Sequence, residues 1–338
     1  MATLASKNLT LADWAKRLDP DGKTAKIVEM LSETNEILND LVYKEGNLPT
    51  GEQTTIRTGL PAVYYRLMNQ GTPDSKSTTA QVTENAAILS ARSQVDCDEA
   101  TLNGNLATYR MSEAEAFVEA MSQKMAQTMF YGSAANPEEF VGLANRYNDL
   151  SAGNGANILD AGGAGAADNM SIWLCSWDQN KAFGVFPKGS KAGLEHQDLG
   201  EGDAFDSLGN RFRAFMDIWK WKNGLVIKDW RFVSRIANIK VSDLESLANT
   251  QAVTAATSII KLMSKQIDLM PSAVGKRVFY CNRTVSSYLR IIGLEKSSSA
   301  VTVQEGLNQF GDTIFTTRFL GIPVRLCDQL LKTESRVV

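Results

Sequence analysis

Between residues 46 and 110 the chain carries two runs of strand-forming composition, TTIRTGLPAVYYRLMN and TENAAILSARSQVD. They flank QGTPDSKSTTAQ, a tip rich in Gly, Pro, Ser and Thr. This predicts a long two-stranded arm with little core of its own. A hairpin standing alone is marginal in water, so an arm of this length has to lean on something. A neighbouring molecule would serve; an enzyme lid closing over its own active site is the alternative.

The rest of the chain can bury a core. It has 338 residues, 43% of them hydrophobic, 22% charged, with a net charge of −3. Thr10 is placed to cap a helix whose Leu11, Trp14, Ala15 and Leu18 share a face, and Pro20 helps to end it. A second apolar stripe runs through Ile27, Leu31, Leu38, Leu41 and Val42. These first 45 residues hold 6 Lys/Arg against 8 Asp/Glu, which is not a basic nucleic-acid arm.

Residues 111–131 read as a long helix. Ser112 and Glu115 form a capping box, Ala114, Phe117, Val118, Met121, Met125 and Met129 line one face, and Gly132 supplies a stop. Asn136 and Pro137 predict a short second helix start in NPEEFVGL. From 171 to 240 the period becomes two. SIWLCSW, KAFGVFP and NRFRAFM are strands, and in DIWKWKNGLVIKDW the pair Asn223-Gly224 predicts a type I′ hairpin turn. That turn would set Trp221 opposite Val226 and Trp219 opposite Lys228, with Trp219, Trp221 and Trp230 on one face. Ser242 and Glu245 form a second capping box before a helix reaching Met270. RVFYC is a buried strand, Asn282 caps RTVSSYLRII, Gly293 ends that helix, and DTIFTTRFLGIPVRLC closes the chain with strands around a turn. The fold class is mixed α+β.

Chemistry is hard to find in this pattern. His196 is the one histidine, in the polar stretch GLEHQDLGEGDAF, which reads as a surface loop, and no G-x-S-x-G accompanies it. Cys97, Cys175, Cys281 and Cys327 lie far apart and predict free thiols, not a zinc cluster or disulfides. Asp96 and Asp98 begin like a calcium loop, but Ala100 and Thr101 break it. GGAGAAD, residues 162–168, lacks the Lys of a phosphate loop and reads as a flexible linker. Residues 211–235 mix seven Lys/Arg with aromatics, as single-strand nucleic-acid binders do. Lys220 and Lys222 alternate with Trp219 and Trp221, however, as in a strand with one wet and one buried face. No catalytic, cofactor-binding or metal-binding residue is expected. No apolar run approaches the roughly 20 residues of a membrane helix, and the N-terminal stretch has no signal-peptide pattern.

Three local signatures follow one another along this framework: EEFVGL after the long helix, RVFYCNRTVSSYL, and FLGIPVRLCDQL. Together with the order of elements they resemble the major capsid proteins of tailed bacteriophages, of the short-tailed type. The resemblance implies an N-terminal arm at 1–45, an E-loop with flanking strands at 46–110 and a peripheral domain at 111–150 built on a spine helix, 111–131. It further implies a β-rich segment at 151–240 shared between domains, and an axial domain at 241–338. In the usual family order a β-rich segment follows the Gly-Ile-Pro-Val-like strand. Here 14 residues follow Val324, so the connections look reordered, and SIWLCSW is expected beside IPVRLC in one sheet that also holds RVFYC.

The implied function is self-assembly into hexamers and pentamers of an icosahedral shell around double-stranded DNA. The DNA would be held by proximity, without sequence-specific contacts. The implied partners are copies of the chain itself, a scaffolding protein, a portal protein and a decoration protein, with no membrane. The place is the virion capsid, assembled in the bacterial host cytoplasm. Two other classes compete: a glycan-binding or tail-type structural protein using the Trp219/Trp221 face, and a hydrolase using surface carboxylates.

Overall fold

A computed structural model describes residues 33, 35–101, 106–165, 167–206, 208–245, 250–271, 275–294, 301–307 and 313–338. The expected helix at Thr10–Leu18 and the stripe from Ile27 to Leu31 lie outside these residues. The helices are α1 (Ile37–Asp40), α2 (Cys97–Thr101), α3 (Leu106–Tyr131), α4 (Leu143–Arg146), α5 (Val241–Glu245), α6 (Thr250–Leu269) and α7 (Arg283–Leu294). The strands begin with β1 (Tyr43–Glu45), β2 (Gly51–Gly59), β3 (Thr78–Asp96), β4 (Ile158–Asp160), β5 (Asn169–Trp177) and β6 (Ala182–Phe186). They continue with β7 (Leu194–Phe205), β8 (Arg211–Ile227), β9 (Val233–Lys240), β10 (Lys276–Cys281), β11 (Val301–Leu307), β12 (Thr313–Phe319) and β13 (Ile322–Leu326).

The central sheet is built on β5, whose nine residues are all buried. A strand apolar on both faces needs cover above and below, and it has both. On one side Trp173, Cys175, Trp177, Val278 and Tyr280 meet the second half of α3, through Met125, Met129 and Phe130, together with Tyr147 and Val337. On the other, Ile172, Leu174, Ile236 and Phe279 meet Ile259 and Met263 of α6 and Val285 and Leu289 of α7.

β5 pairs antiparallel with β10, and β10 pairs parallel with β13. SIWLCSW and IPVRLC therefore share a sheet, as expected, but RVFYC lies between them, so they are not direct neighbours. Sharing a sheet does not make the chain connection a reordered one, and the reordering is not confirmed. Leu320 and Gly321 both have positive φ, 45° and 80°, and turn β12 into β13 as a two-residue hairpin of the type I′ kind.

Several local expectations are corrected. Asn223-Gly224 is no turn, because β8 runs straight through it. Gly224 is where β8 passes from the ladder with β3 to the ladder with β6. A Cβ there would lie 2.8 Å from the Asn85 carbonyl oxygen and 3.0 Å from the Ala86 Cα. Glycine is needed for close approach of the β3 backbone and of the Val185 side chain, not for left-handed φ. Trp219 therefore sits opposite Ala91 and His196, and Trp221 opposite Leu89 and Leu194, while Trp230 belongs to a 3-10 turn.

α3 starts before the expected 111, so Ser112 and Glu115 lie inside it and cap nothing. Its stripe is buried only from Met121 onward; Val118 is exposed and Phe117 half-buried. Gly132 does end the helix: its N–H reaches the Thr128 carbonyl, and a Cβ would meet the Phe140 oxygen at 2.2 Å. Residues 136–139 form turns, not a helix start. Ser242 lies within α5 and donates to Asp168, so the second capping box is absent too. Asn282 caps α7 as expected, accepting the Thr284 N–H at 3.2 Å, and the helix passes Gly293 to end at Leu294. The glycine-rich stretch at 162 is tied down: the Gly163 N–H donates to Asn238, whose backbone allows no Cβ there.

Candidate assembly surfaces

The arm is built as the sequence suggested, but shorter. β2 and β3 pair from Gly51↔Asn85 to Gly59↔Thr78. The second half of the expected first strand, residues 60–69, has no ladder partner among the described residues. The base is clamped. Lys228 reaches the buried Glu52 carboxylate at 3.0 Å, and Arg146 grips Glu84 through both terminal guanidinium nitrogens. Asn47 and Gln53 exchange hydrogen bonds of 2.7 and 2.8 Å.

Beyond this clamp the ribbon is mostly exposed among the described residues, and residues 60–68 near its end are apolar. Leu60, Val63, Tyr65, Leu67 and Met68 stand in solvent, Val63 and Met68 at 88% and 93% exposure. Local bonds shape this tip, from the Ser75 hydroxyl to the Ala62 carbonyl and from the Gln70 N–H to the Leu67 carbonyl. A contiguous apolar patch of this kind on an extended arm marks a protein–protein contact.

A second arm was missed by the sequence reading. The stretch around His196 is not a loop but β7, paired with β8 from Leu194↔Trp221 to Phe205↔Arg211. Its polar alternation hid it, because only one face is covered. At the tip, Asp206 accepts the N–H groups of Leu208 and Asn210 at 2.8 and 2.7 Å, and Leu208 projects into solvent.

Beneath this arm Trp219 is 3% exposed, stacked between Phe117 of α3 at 5.1 Å and His196 at 5.2 Å. Asp198 and Asp217 face each other directly across the ladder, an unfavourable pairing of like charges. Arg110 answers both, at 2.9 and 3.0 Å, and His196 bonds Asp217 at 2.9 Å. The Gly200 amide and then Arg110 hold Asp198 below the usual carboxylate range. This cluster fastens β7 and β8 to α3. The lone histidine is a structural partner of Trp219 and Asp217.

The basic stretch at 211–235 is largely neutralised. Arg211, Arg213, Lys228, Arg231 and Arg235 each carry a carboxylate partner, which among the described residues leaves Lys220 and Lys222. Asp96 accepts the Asp98 N–H at 2.9 Å at the start of α2, as a turn residue does. Among the described residues, no group of three or more His, Cys, Asp or Glu is placed to hold a metal ion, and no helix is long and apolar enough to cross a membrane.

The profile of the family described as Major capsid protein GP7 matches residues 19–338. The chain belongs to that family. A solved structure of bacteriophage epsilon15 is similar over 100% of this chain and 99% of that one, at 29% identity and a TM-score of 0.76. The capsid of bacteriophage JBD30 is similar over 89% of this chain and 92% of that one, at 8% identity and a TM-score of 0.46. The capsid of a native GTA particle covers 68% of this chain, with 99% of its own length, at 8% identity and a TM-score of 0.45. No curated protein matches the chain. The protein is thus a phage shell protein with the capsid fold of epsilon15. The apolar arm tips suit a structural family, and the glycan-binding alternative loses its surface, since Trp219 lies under α3.

Proposed function

We propose that copies of this chain assemble into the hexamers and pentamers of an icosahedral shell, within the bacterial host cytoplasm, around double-stranded DNA. The observation that carries this reading is the arm: a base clamped by ion pairs, and a tip that presents five large apolar side chains to solvent. Its own core is already closed on both faces of the central sheet, so the tip has no seat at home. Ring assembly from one chain needs heterologous contacts of this sort, where an element of one copy meets a different surface of the next. Many such contacts, each modest, add up through multivalency.

In this reading 1–45 is an N-terminal arm, 46–110 the E-loop, 111–150 the peripheral domain, 151–240 a shared β segment and 241–338 the axial domain. A scaffolding protein directs closure, a portal protein occupies one vertex and a decoration protein binds outside. DNA is enclosed without sequence-specific contacts, and no residue is catalytic. A sizing column tests the proposal. The purified chain should elute as capsomers or shells. A small oligomer that binds oligosaccharide would contradict it.

A further inference from the structure

The expected strand at 60–69 and the open side of β3 answer one another. Along Ala86–Asp96, β8 is the strand that pairs with β3 among the described residues. The Ala86 N–H points away from β8, donating to the Thr50 carbonyl at 2.8 Å. Peptide groups alternate in direction along a strand. Those of Ile88, Ser90, Arg92 and Gln94 therefore face the same side, where β2 has already ended its ladder at Gly51↔Asn85. Among the described residues this leaves an unpaired edge seven residues long. At its start is an apolar notch formed by Ala87, Leu89, Met125, Thr128 and Phe140, with the Lys124–Glu139 ion pair on its rim.

Residues 62–68, AVYYRLM, have the complementary fault. They are β-prone, alternate so that Val63, Tyr65 and Leu67 share a face, contain no proline, and lack a ladder. Their own chain cannot supply one from this edge. Thr78 to Ile88 is about 33 Å along β3, and Leu60–Met68 fully extended spans about 30 Å. The segment would be used up in reaching the edge.

Building on the shell-assembly reading, we infer that residues 62–68 of one copy add as a strand to the open edge of β3, Ile88–Gln94, in a second copy, with apolar side chains entering the notch beside Met125 and Phe140. The two lengths match at seven residues. Strand addition satisfies backbone groups on both sides and hides an edge that would otherwise invite aggregation.

Amide hydrogen exchange on the unmodified chain, as free subunits and as shells, tests the contact. Assembly should slow the amides of 63–68 and those of Ile88, Ser90, Arg92 and Gln94 by roughly tenfold or more. In parallel, Tyr64→Cys, on the face away from the notch, combined with Ser90→Cys or with Arg92→Cys on that same face, should give oxidised ladders of linked subunits that neither single variant gives. Shells whose 63–68 amides exchange as fast as in free subunits would overturn the inference while leaving shell assembly intact. Failure of the unmodified chain to form any particle would contradict the assembly reading itself, and this contact with it.

Discussion

At the scale of single residues, the surprise lies in the tail. Glu334 is buried and accepts from Tyr131, Ser171 and, at 2.8 Å, Arg235, which also donates to the Tyr147 carbonyl and lies over the Trp173 ring. Nothing in TESRVV announces this, because a polar residue near a terminus normally reads as solvated. Its role depends on where the chain has already gone. Asn282 was legible for the opposite reason: a cap acts on the next few residues. Removing one partner of a buried ion pair leaves an uncompensated charge, so Glu334→Ala should cost about 3–5 kcal/mol in urea unfolding of the subunit. A loss under about 1 kcal/mol would mean the tail does not fasten the core. The thiols give a second check. Burial pushes Cys281 and Cys327 up to about 12, and Cys175 higher still. At pH 8 these three should therefore be almost wholly protonated and shielded. One thiol per folded chain, Cys97, should react with a disulfide reagent, and four should react in urea; three fast thiols in the folded chain would contradict the packing.

At the scale of elements, period and composition predicted β5, β10, the β12–β13 turn and the existence of α3. They misplaced what long-range packing decides. Asn223-Gly224 carries the strongest local hairpin signal, yet β3 and β6 claim β8 on either side of it and keep it straight. Half the stripe of α3 lies over the β7–β8 arm instead of the core, which is why Phe117 is only half-buried. Full burial of a phenylalanine would make Phe117→Ala cost about 3–5 kcal/mol; the observed setting predicts about 1–2 kcal/mol, with a change in Trp219 fluorescence. An unchanged emission spectrum would rule out the stack. For the arm, Thr78–Gln81 belong to the β2–β3 ladder, so the informative deletion is Gly71–Ser77. The deleted chain should melt at the same temperature as the full one, since the tip touches no core, while its shells form poorly or fall apart on mild heating. Shells of full heat resistance would remove residues 71–77 from the interface.

At the scale of the whole molecule, the chain is a closed core with two open arms. The central sheet is sealed by α3 and the tail on one side and by α6 and α7 on the other. The arms carry what the described residues leave unfinished: a β-prone segment without a ladder, a strand edge without a partner, and exposed apolar tips. The sequence showed the first arm because residues 70–81, between its two strand-like runs, are written in turn residues. It hid the second because a polar strand with one covered face looks like a loop. The most direct measurement is electron cryomicroscopy of the purified, unmodified chain at rising concentration. The account predicts capsomers or shells in which residues 60–77 of each subunit lie on a neighbour. Capsomers or shells with those residues in solvent, or a monomer at every concentration, would contradict it.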